Sequence, residues 1–210
     1  LFRSREKAEK KMLAELNASP DSVMALKKLW SYKKGEDGGL VITNYKGSDT
    51  EVTVPEKIGK SPVTAIGKGA FAGSTGLCAG IVTSYASYEQ MRNHRNIKKI
   101  TLPQGIKIID TGAFADTLAL KEINIPETVE EIKEAAFYQA VSIKSLTLPQ
   151  SVKKIGAYAF AHCKNLVSVK IYGAEEIGVG AFRDTKSLKT LELPASLKRM
   201  LSNHAENVNL

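Results

Sequence analysis

The sequence predicts an α/β solenoid, a stack of short turns with a ladder of parallel strands on one side, short helical turns on the other, and an N-terminal helical cap. Three observations carry this expectation. Prolines recur at 103, 126 and 149, each 23 residues apart, and the Ala-Phe dipeptide ends at Phe114, Phe137, Phe160 and Phe182, at intervals of 23, 23 and 22. Stacked in that register, the segments from Ile97, Leu120, Ile143, Leu166 and Leu188 read IKKITLP, LKEINIP, IKSLTLP, LVSVKIY and LKTLELP, with apolar residues at the first, fourth and sixth positions. A unit with about seven apolar side chains cannot bury them alone, so neighbouring units must share one continuous core.

Residues 1–38 lack the repeat and are expected to form a helical cap or linker ahead of a solenoid over residues 39–210. Arg3–Leu16 is rich in helix formers, and Ser19-Pro20-Asp21 offers an N-cap with proline at the first helical position before VMALKKLW. Val23, Leu26, Leu29 and Trp30 share a helical face. That face fits a lid over the first turn of the stack, and it equally fits a dimerisation or linker helix. Burial of Trp30 against a hairpin over Leu40–Val54 is the sign that favours the lid.

Phe71 to Pro103 spans 32 residues where other units use twelve, which marks an insertion of 20 residues at about 77–96. Its segment SYASYEQMRNHRN places Tyr85, Tyr88 and Arg92 or Met91 on one helical side. Tyr and Arg concentrate energy in protein interfaces. Partner contact and a plain excursion packed on the side of the stack both remain open.

Within each unit the last apolar positions alternate, as Ile123 and Ile125 do around Asn124, which is the period of a strand with one buried face. Proline at position seven has no N–H for the ladder and stops the strand. Val129 and Ile132, or Val152 and Ile155, then lead to the Ala-Phe pair on a short helical turn. The residue after that isoleucine, Gly67, Gly156 and Gly178 but Asp110 and Lys133 elsewhere, reads as a tight turn with positive φ. Irregularity is expected where Tyr172 replaces the proline and the next turn is one residue shorter. After Pro194, Leu197 and Met200 still fit while His204-Ala205 replace Ala-Phe, so about five to six turns are expected.

The pattern of leucine-rich strand, Pro, Ile-Gly and Ala-Phe, carried at Leu146–Pro149, Ile155–Gly156 and Ala159–Phe160, resembles the BspA-like class of leucine-rich repeats. The segment GLVITNYKGSDTEVTVPEKIGKSPVTAIGKGAF is similar to that family's first repeat, with a longer gap from Pro55 to Phe71. The resemblance covers Gly39 to about Met200. It implies a right-handed leucine-rich-repeat solenoid of the kind found in bacterial surface or secreted proteins that bind other macromolecules, and it implies no active site.

Composition narrows the function classes. A chain that is 43% hydrophobic and 25% charged is neither disordered nor collagenous. Its longest apolar runs are a few residues, far below the ~20 of a membrane span. LFRSREKAEKKMLAEL holds no apolar signal-peptide core, so the expected compartment, cell surface or secreted with cytoplasmic as the alternative, rests on the resemblance. The net charge of +8 comes from 24 lysines and six arginines against 22 acidic residues, with 7% aromatics. Nucleic acid is an unlikely partner on that count, because it calls for clustered arginine beside aromatic platforms. Lys98, Lys121, Lys144 and Lys189 read instead as solubilising strand ends.

No HExxH, paired CxxC, GxSxG or phosphate loop occurs, and His94, His162 and His204 have no partner at metal-ligand spacing. Cys163, beside His162, takes the position of Ser74, Thr117, Ala140 and Thr185 in other units and reads as a small buried residue. No catalytic residue, cofactor or metal is expected, and the chain is not expected to be an enzyme. The candidate binding surface is the outward strand face. One column runs Lys99, Glu122, Ser145, Ser168, Thr190 and the other Thr101, Asn124, Thr147, Lys170, Glu192. Glu122, Asn124, Ser145, Thr147, Ser168 and Lys170, together with Tyr85, Tyr88 and Arg92, are the candidate partner-binding residues. Such a polar ladder either hydrogen-bonds an extended sugar or peptide or is simply solvated. The expected function is a noncatalytic module that binds protein or glycan; the alternative is a structural spacer or capping domain of a larger protein.

Overall fold

The computed structural model describes residues 20–74, 77–78, 81–82 and 86–201. Along them run α1 (Pro20–Leu29), β1 (Trp30–Lys34), β2 (Leu40–Tyr45), β3 (Glu51–Thr53), β4 (Lys57–Ile58), β5 (Ser61–Ile66), β6 (Leu77–Cys78), β7 (Ile81–Val82) and α2 (Tyr88–Asn96). The regular array follows as β8 (Lys99–Thr101), β9 (Ile108–Ile109), β10 (Glu122–Ile123), β11 (Glu131–Ile132), β12 (Ser145–Leu148), β13 (Lys154–Ile155), β14 (Ser168–Ile171), β15 (Glu176–Ile177), β16 (Thr190–Glu192) and β17 (Arg199–Met200).

Most of the longest ladder lies where the sequence showed no strand. The two-residue Lys-Ile and Glu-Ile segments are too short to display alternation, yet β2, β5, β9, β11, β13, β15 and β17 pair in parallel. Ile42, Ile66, Ile109, Ile132, Ile155, Ile177 and Met200 stand in one register row. That row counts seven turns rather than five to six, because the N-terminal hairpin supplies a first turn of its own. The leucine strands form a second, parallel ladder that is split into β3·β8·β10 and β12·β14·β16.

The Ala-Phe segments make a third set of links. Within a turn the hydrogen bonds close every third residue, as Ala113 N to Asp110 O and Ala115 N to Gly112 O do. Alternate N–H groups cross to the next turn: Phe71 N to Ala113 O, Phe114 N to Ala136 O, Phe137 N to Ala159 O and Phe160 N to Ala181 O, at 2.7–2.8 Å. Positive φ is needed here, two residues before the phenylalanine, at Gly69, Gly112, Ala135, Tyr158 and Gly180, and not at Gly67, Gly156 or Gly178. Those three glycines serve a different purpose: a β-carbon at Gly67 would lie 2.7 Å from Ile42 O, and one at Gly156 would lie 2.5 Å from Glu134 N. The turns stack too closely there for a side chain aimed at the neighbouring backbone.

The phenylalanines form the core's spine. Phe71, Phe114, Phe137, Phe160 and Phe182 are fully buried and stacked with centroids 5.1–5.4 Å apart. Tyr45 extends the row from Phe71 at 6.0 Å, and Trp30 covers Tyr45 at 4.9 Å. Trp30 does not finish the preceding helix, as its helical spacing suggested; α1 ends at Leu29, and Trp30 opens β1, which pairs antiparallel with β2. The N-terminal hairpin therefore spans Trp30–Tyr45 instead of Leu40–Val54, and β3 beyond it already belongs to the leucine-strand ladder. Its hydrogen bonds run across residues 38 and 39, where the sequence suggested a boundary.

The insertion contains the β6·β7 hairpin and α2, whose start is fixed by a reciprocal capping box between Ser87 and Gln90. Met91 and His94 are its buried residues. His94 is pinned between two turns, with Nδ1 2.9 Å from Ala72 O and Nε2 2.7 Å from Tyr45 O. Cys163 is fully buried, and its thiol donates to Phe137 O at 3.1 Å. Tyr172 causes no break in the ladder. It has the N–H that proline lacks and donates it to Leu148 O at 3.1 Å, so the β12·β14 pair is among the longest.

Candidate functional site

The irregularity of the strand face falls instead between β10 and β12, and Asn124 marks the end of β10. In a regular ladder the backbone after Ile123 would meet Leu102. Here the Asn124 carboxamide takes both backbone groups instead: Leu102 N donates to Oδ1 at 2.7 Å and Nδ2 donates to Leu102 O at 2.8 Å. The side chain substitutes for the backbone on the β8 side, so β10 stops after two residues. On its other side β10 has no strand partner, and β12 has none facing it. The other two links between the same turns persist, since Glu131 pairs with Lys154 and Phe137 N reaches Ala159 O at 2.7 Å. The stack holds while one face opens.

The opening is a cleft of about 550 Å³ lined by Ile123, Asn124, Ile125, Glu127, Ser145, Leu146, Thr147, Pro149, Gln150 and Tyr172. A smaller cleft of about 380 Å³ adjoins it through Ile123, Asn124 and Ser145 and extends toward Lys99 and Glu122. Of the nine candidate residues, the structure thus brings Asn124, Ser145 and Thr147 together in the larger cleft. Glu122 lines only the smaller one, where Lys99 pairs with it at 3.6 Å. Ser168 and Lys170 lie along the next turn, outside both linings. Glu192 at 3.0 Å, and then Tyr172, hold the Lys170 ammonium above the usual lysine range. Tyr88 and Arg92 are exposed on α2, one helical turn apart, and line neither cleft; Met91 is buried, so it belongs to another face. Tyr85 lies outside the described residues.

Sequence reasoning did not place Tyr172, Gln150 and Glu127 in the site. Tyr172 carried a signal, as the one aromatic in a column otherwise filled by Pro103, Pro126, Pro149 and Pro194. Asn124 carried a weaker one, because asparagine is a poor strand former that readily bonds backbone. Among the described residues no group of three or more His, Cys, Asp or Glu side chains is placed to hold a metal ion, and no helix is long and apolar enough to cross a membrane.

Comparison with known proteins bears on the fold and the family. Similar solved structures include a leucine-rich repeat protein of T. pallidum, at 24% identity over 82% of this chain and 84% of that one, with a TM-score of 0.63. A leucine-rich repeat protein of Bacteroides capillosus matches at 24% identity over 69% and 95% of the two chains, with a TM-score of 0.52. The pneumococcal vaccine antigen PcpA matches at 22% identity over 85% of this chain and 45% of its own, with a TM-score of 0.53. No curated protein matches the chain in sequence. These likenesses show the solenoid fold. The profile of the BspA type leucine-rich repeat region matches residues 85–210 in six copies, and the chain belongs to that family.

Proposed function

We propose that this chain is a noncatalytic binding module that holds a protein or glycan partner on its strand face, at the cleft between β10 and β12. The observation that carries this reading is the split ladder, which turns a flat polar sheet into a lined cleft without loosening the stack beneath it. The packed spine and the stacked turns make a rigid support, and rigid placement is what a binding face needs. We also infer that α1 and β1 cap the first turn, a reading supported by Trp30, which is 2% exposed and covers the Tyr45 end of the aromatic row. A bacterial surface location is supported by the vaccine-antigen relative in fold, since an antigen of that use must be accessible from outside.

The test is a screen of protein and glycan arrays with three chains: wild type, a Ser145→Arg/Thr147→Arg chain that fills the cleft, and a Tyr88→Ala/Arg92→Ala chain. The expected result is loss of the bound partner in the filled-cleft chain alone. Loss in the α2 variant alone would move the binding surface to the insertion. A partner kept by both variants would remove the strand-face assignment, and a wild-type chain that binds nothing would favour the spacer alternative.

A further inference from the structure

We propose that the cleft between β10 and β12 is a carbohydrate subsite for a neutral oligosaccharide, with the exposed ring of Tyr172 as its stacking platform. The proposal rests on the binding-module reading and names the ligand class of that same site. Its first support is the chemistry of the lining. Ile123, Ile125 and Leu146 give an apolar floor, Ser145, Thr147 and Gln150 give neutral hydrogen-bonding groups, and Glu127 is the single charged residue. No lysine or arginine lines the cleft, although the chain carries 30 of them.

A pyranose ring presents apolar C–H faces edged by hydroxyls that both donate and accept. An aromatic face, an amide, hydroxyls and a carboxylate that accepts from two adjacent hydroxyls match it group for group. An anionic ligand would meet Glu127 with no cation in the lining to offset it. Nucleic acid fails on the same ground, because phosphates need basic partners.

Tyr172 is the second support. It is 49% exposed, one of the few large hydrophobic residues of the array left open to solvent, and it borders this cleft. Its backbone is fixed by the bond from its N–H to Leu148 O, so the ring is carried on a rigid rim. The volume, about 550 Å³, falls within the roughly 300–1,000 Å³ of small-ligand sites. An extended peptide is the other occupant of an open strand edge, and it reads a run of alternating main-chain donors and acceptors. β10 offers two residues of edge to the cleft and β12 four, so edge length does not separate the two occupants. The neutral lining and the exposed Tyr172 ring favour the sugar.

The test uses the full chain on printed neutral oligosaccharides of the gluco, manno, galacto and N-acetylhexosamine series, with sialylated and uronic counterparts. Binders are titrated calorimetrically at low and high salt. The expected result is binding of a neutral series that high salt does not weaken. Tyr172→Ala is expected to weaken it about tenfold or more, and Tyr172→Phe, which keeps the ring, to stay within about twofold. Both variants should keep the wild-type circular dichroism, since the side chain is exposed and the backbone N–H remains. A silent neutral panel, binding of acidic glycans alone, loss of binding in high salt, or a Tyr172→Ala chain that binds like wild type would overturn the proposal. Should a peptide or protein partner be lost in the Ser145→Arg/Thr147→Arg chain while no sugar binds, the carbohydrate assignment falls and the binding-module reading stands. If that blocked chain keeps every partner, both fall together.

Discussion

Gly173 and Cys163 show how single residues carry the stacking of the turns. A β-carbon at Gly173 would collide with the carbonyl group and Cα of Gln150, all of them backbone atoms that cannot swing aside. Gly173→Ala is therefore expected to cost ~2–3 kcal/mol as an overpacking change. Gly38→Ala, at φ +82 with nothing within 4 Å, carries backbone strain alone, about 1–2 kcal/mol. Urea titration of the two variants separates close approach from strain, and equal losses would remove the close-approach argument. Cys163 sets a limit at high pH. Burial pushes its thiol up from 9.0 to about 12. Burial and the Asp49 carboxylate, 2.6 Å away, push the Tyr45 phenol up from 10.0 as well. Both groups are neutral when protonated, and the unfolded chain releases these protons first, so it binds fewer of them in alkali. Their contribution is fully present below pH 9 and is lost as the pH rises from 9 toward 12. The urea midpoint is expected to begin falling near pH 9 in wild type and near pH 10 in Cys163→Ala, where Tyr45 remains. An identical onset in both chains would contradict the role given to the thiol.

At the scale of elements, the aromatic spine makes the stack a chain of nearest-neighbour contacts. Phe137 lies between Phe114 at 5.1 Å and Phe160 at 5.2 Å, whereas Phe182 has one stacked ring, Phe160 at 5.4 Å, among the described residues. Phe137→Ala is expected to cost ~3–5 kcal/mol, and Phe182→Ala about 1 kcal/mol less for the ring contact it does not have. The two should also differ in kind. A defect in mid-array uncouples the units on either side, while a defect near one end frays that end. Trp30, the only tryptophan, reports the N-terminal end. In Phe137→Ala its fluorescence transition should separate from that of circular dichroism, and in Phe182→Ala the Trp30 transition should stay at its wild-type midpoint. Coincident transitions in Phe137→Ala would show that the array unfolds as one unit. This spine was legible in the sequence because Ala-Phe recurs in register. The Tyr45 and Trp30 extension was not, because the first turn spaces its aromatics differently. The isoleucine ladder was equally hidden, since a strand of two residues has no period to read.

For the whole molecule, the stacking of turns was legible and the opening of one face was not, and the difference has a physical cause. Stacking depends on which residue types recur, and LKEINIP recurs as faithfully as its neighbours. The opening lies between two turns that both keep the repeat residues, so no spacing encodes it. Glu122 N donates to Lys98 O at 3.2 Å, Ser168 N to Lys144 O at 3.3 Å and Thr190 N to Val167 O at 3.2 Å. Ser145 holds the same place in its turn, but β12 has no strand partner on that side. Its amide is expected to exchange with solvent about tenfold faster or more than that of Ser168. Phe137 and Phe160 should stay equally protected, because their N–H groups still reach Ala159 and Ala181. Asn124→Thr tests what ends β10 on its β8 side. Threonine is the residue of this column at Thr101 and Thr147, and it has no amide to hold both backbone groups of Leu102. The variant backbone should then rejoin Leu102 and lengthen β10 along β8, while Ser145, which faces the other side of β10, keeps its fast exchange. A chain in which Ser145 exchanges as slowly as Ser168 before any substitution would mean that the ladder is continuous in solution, and the cleft would then be no place for a partner.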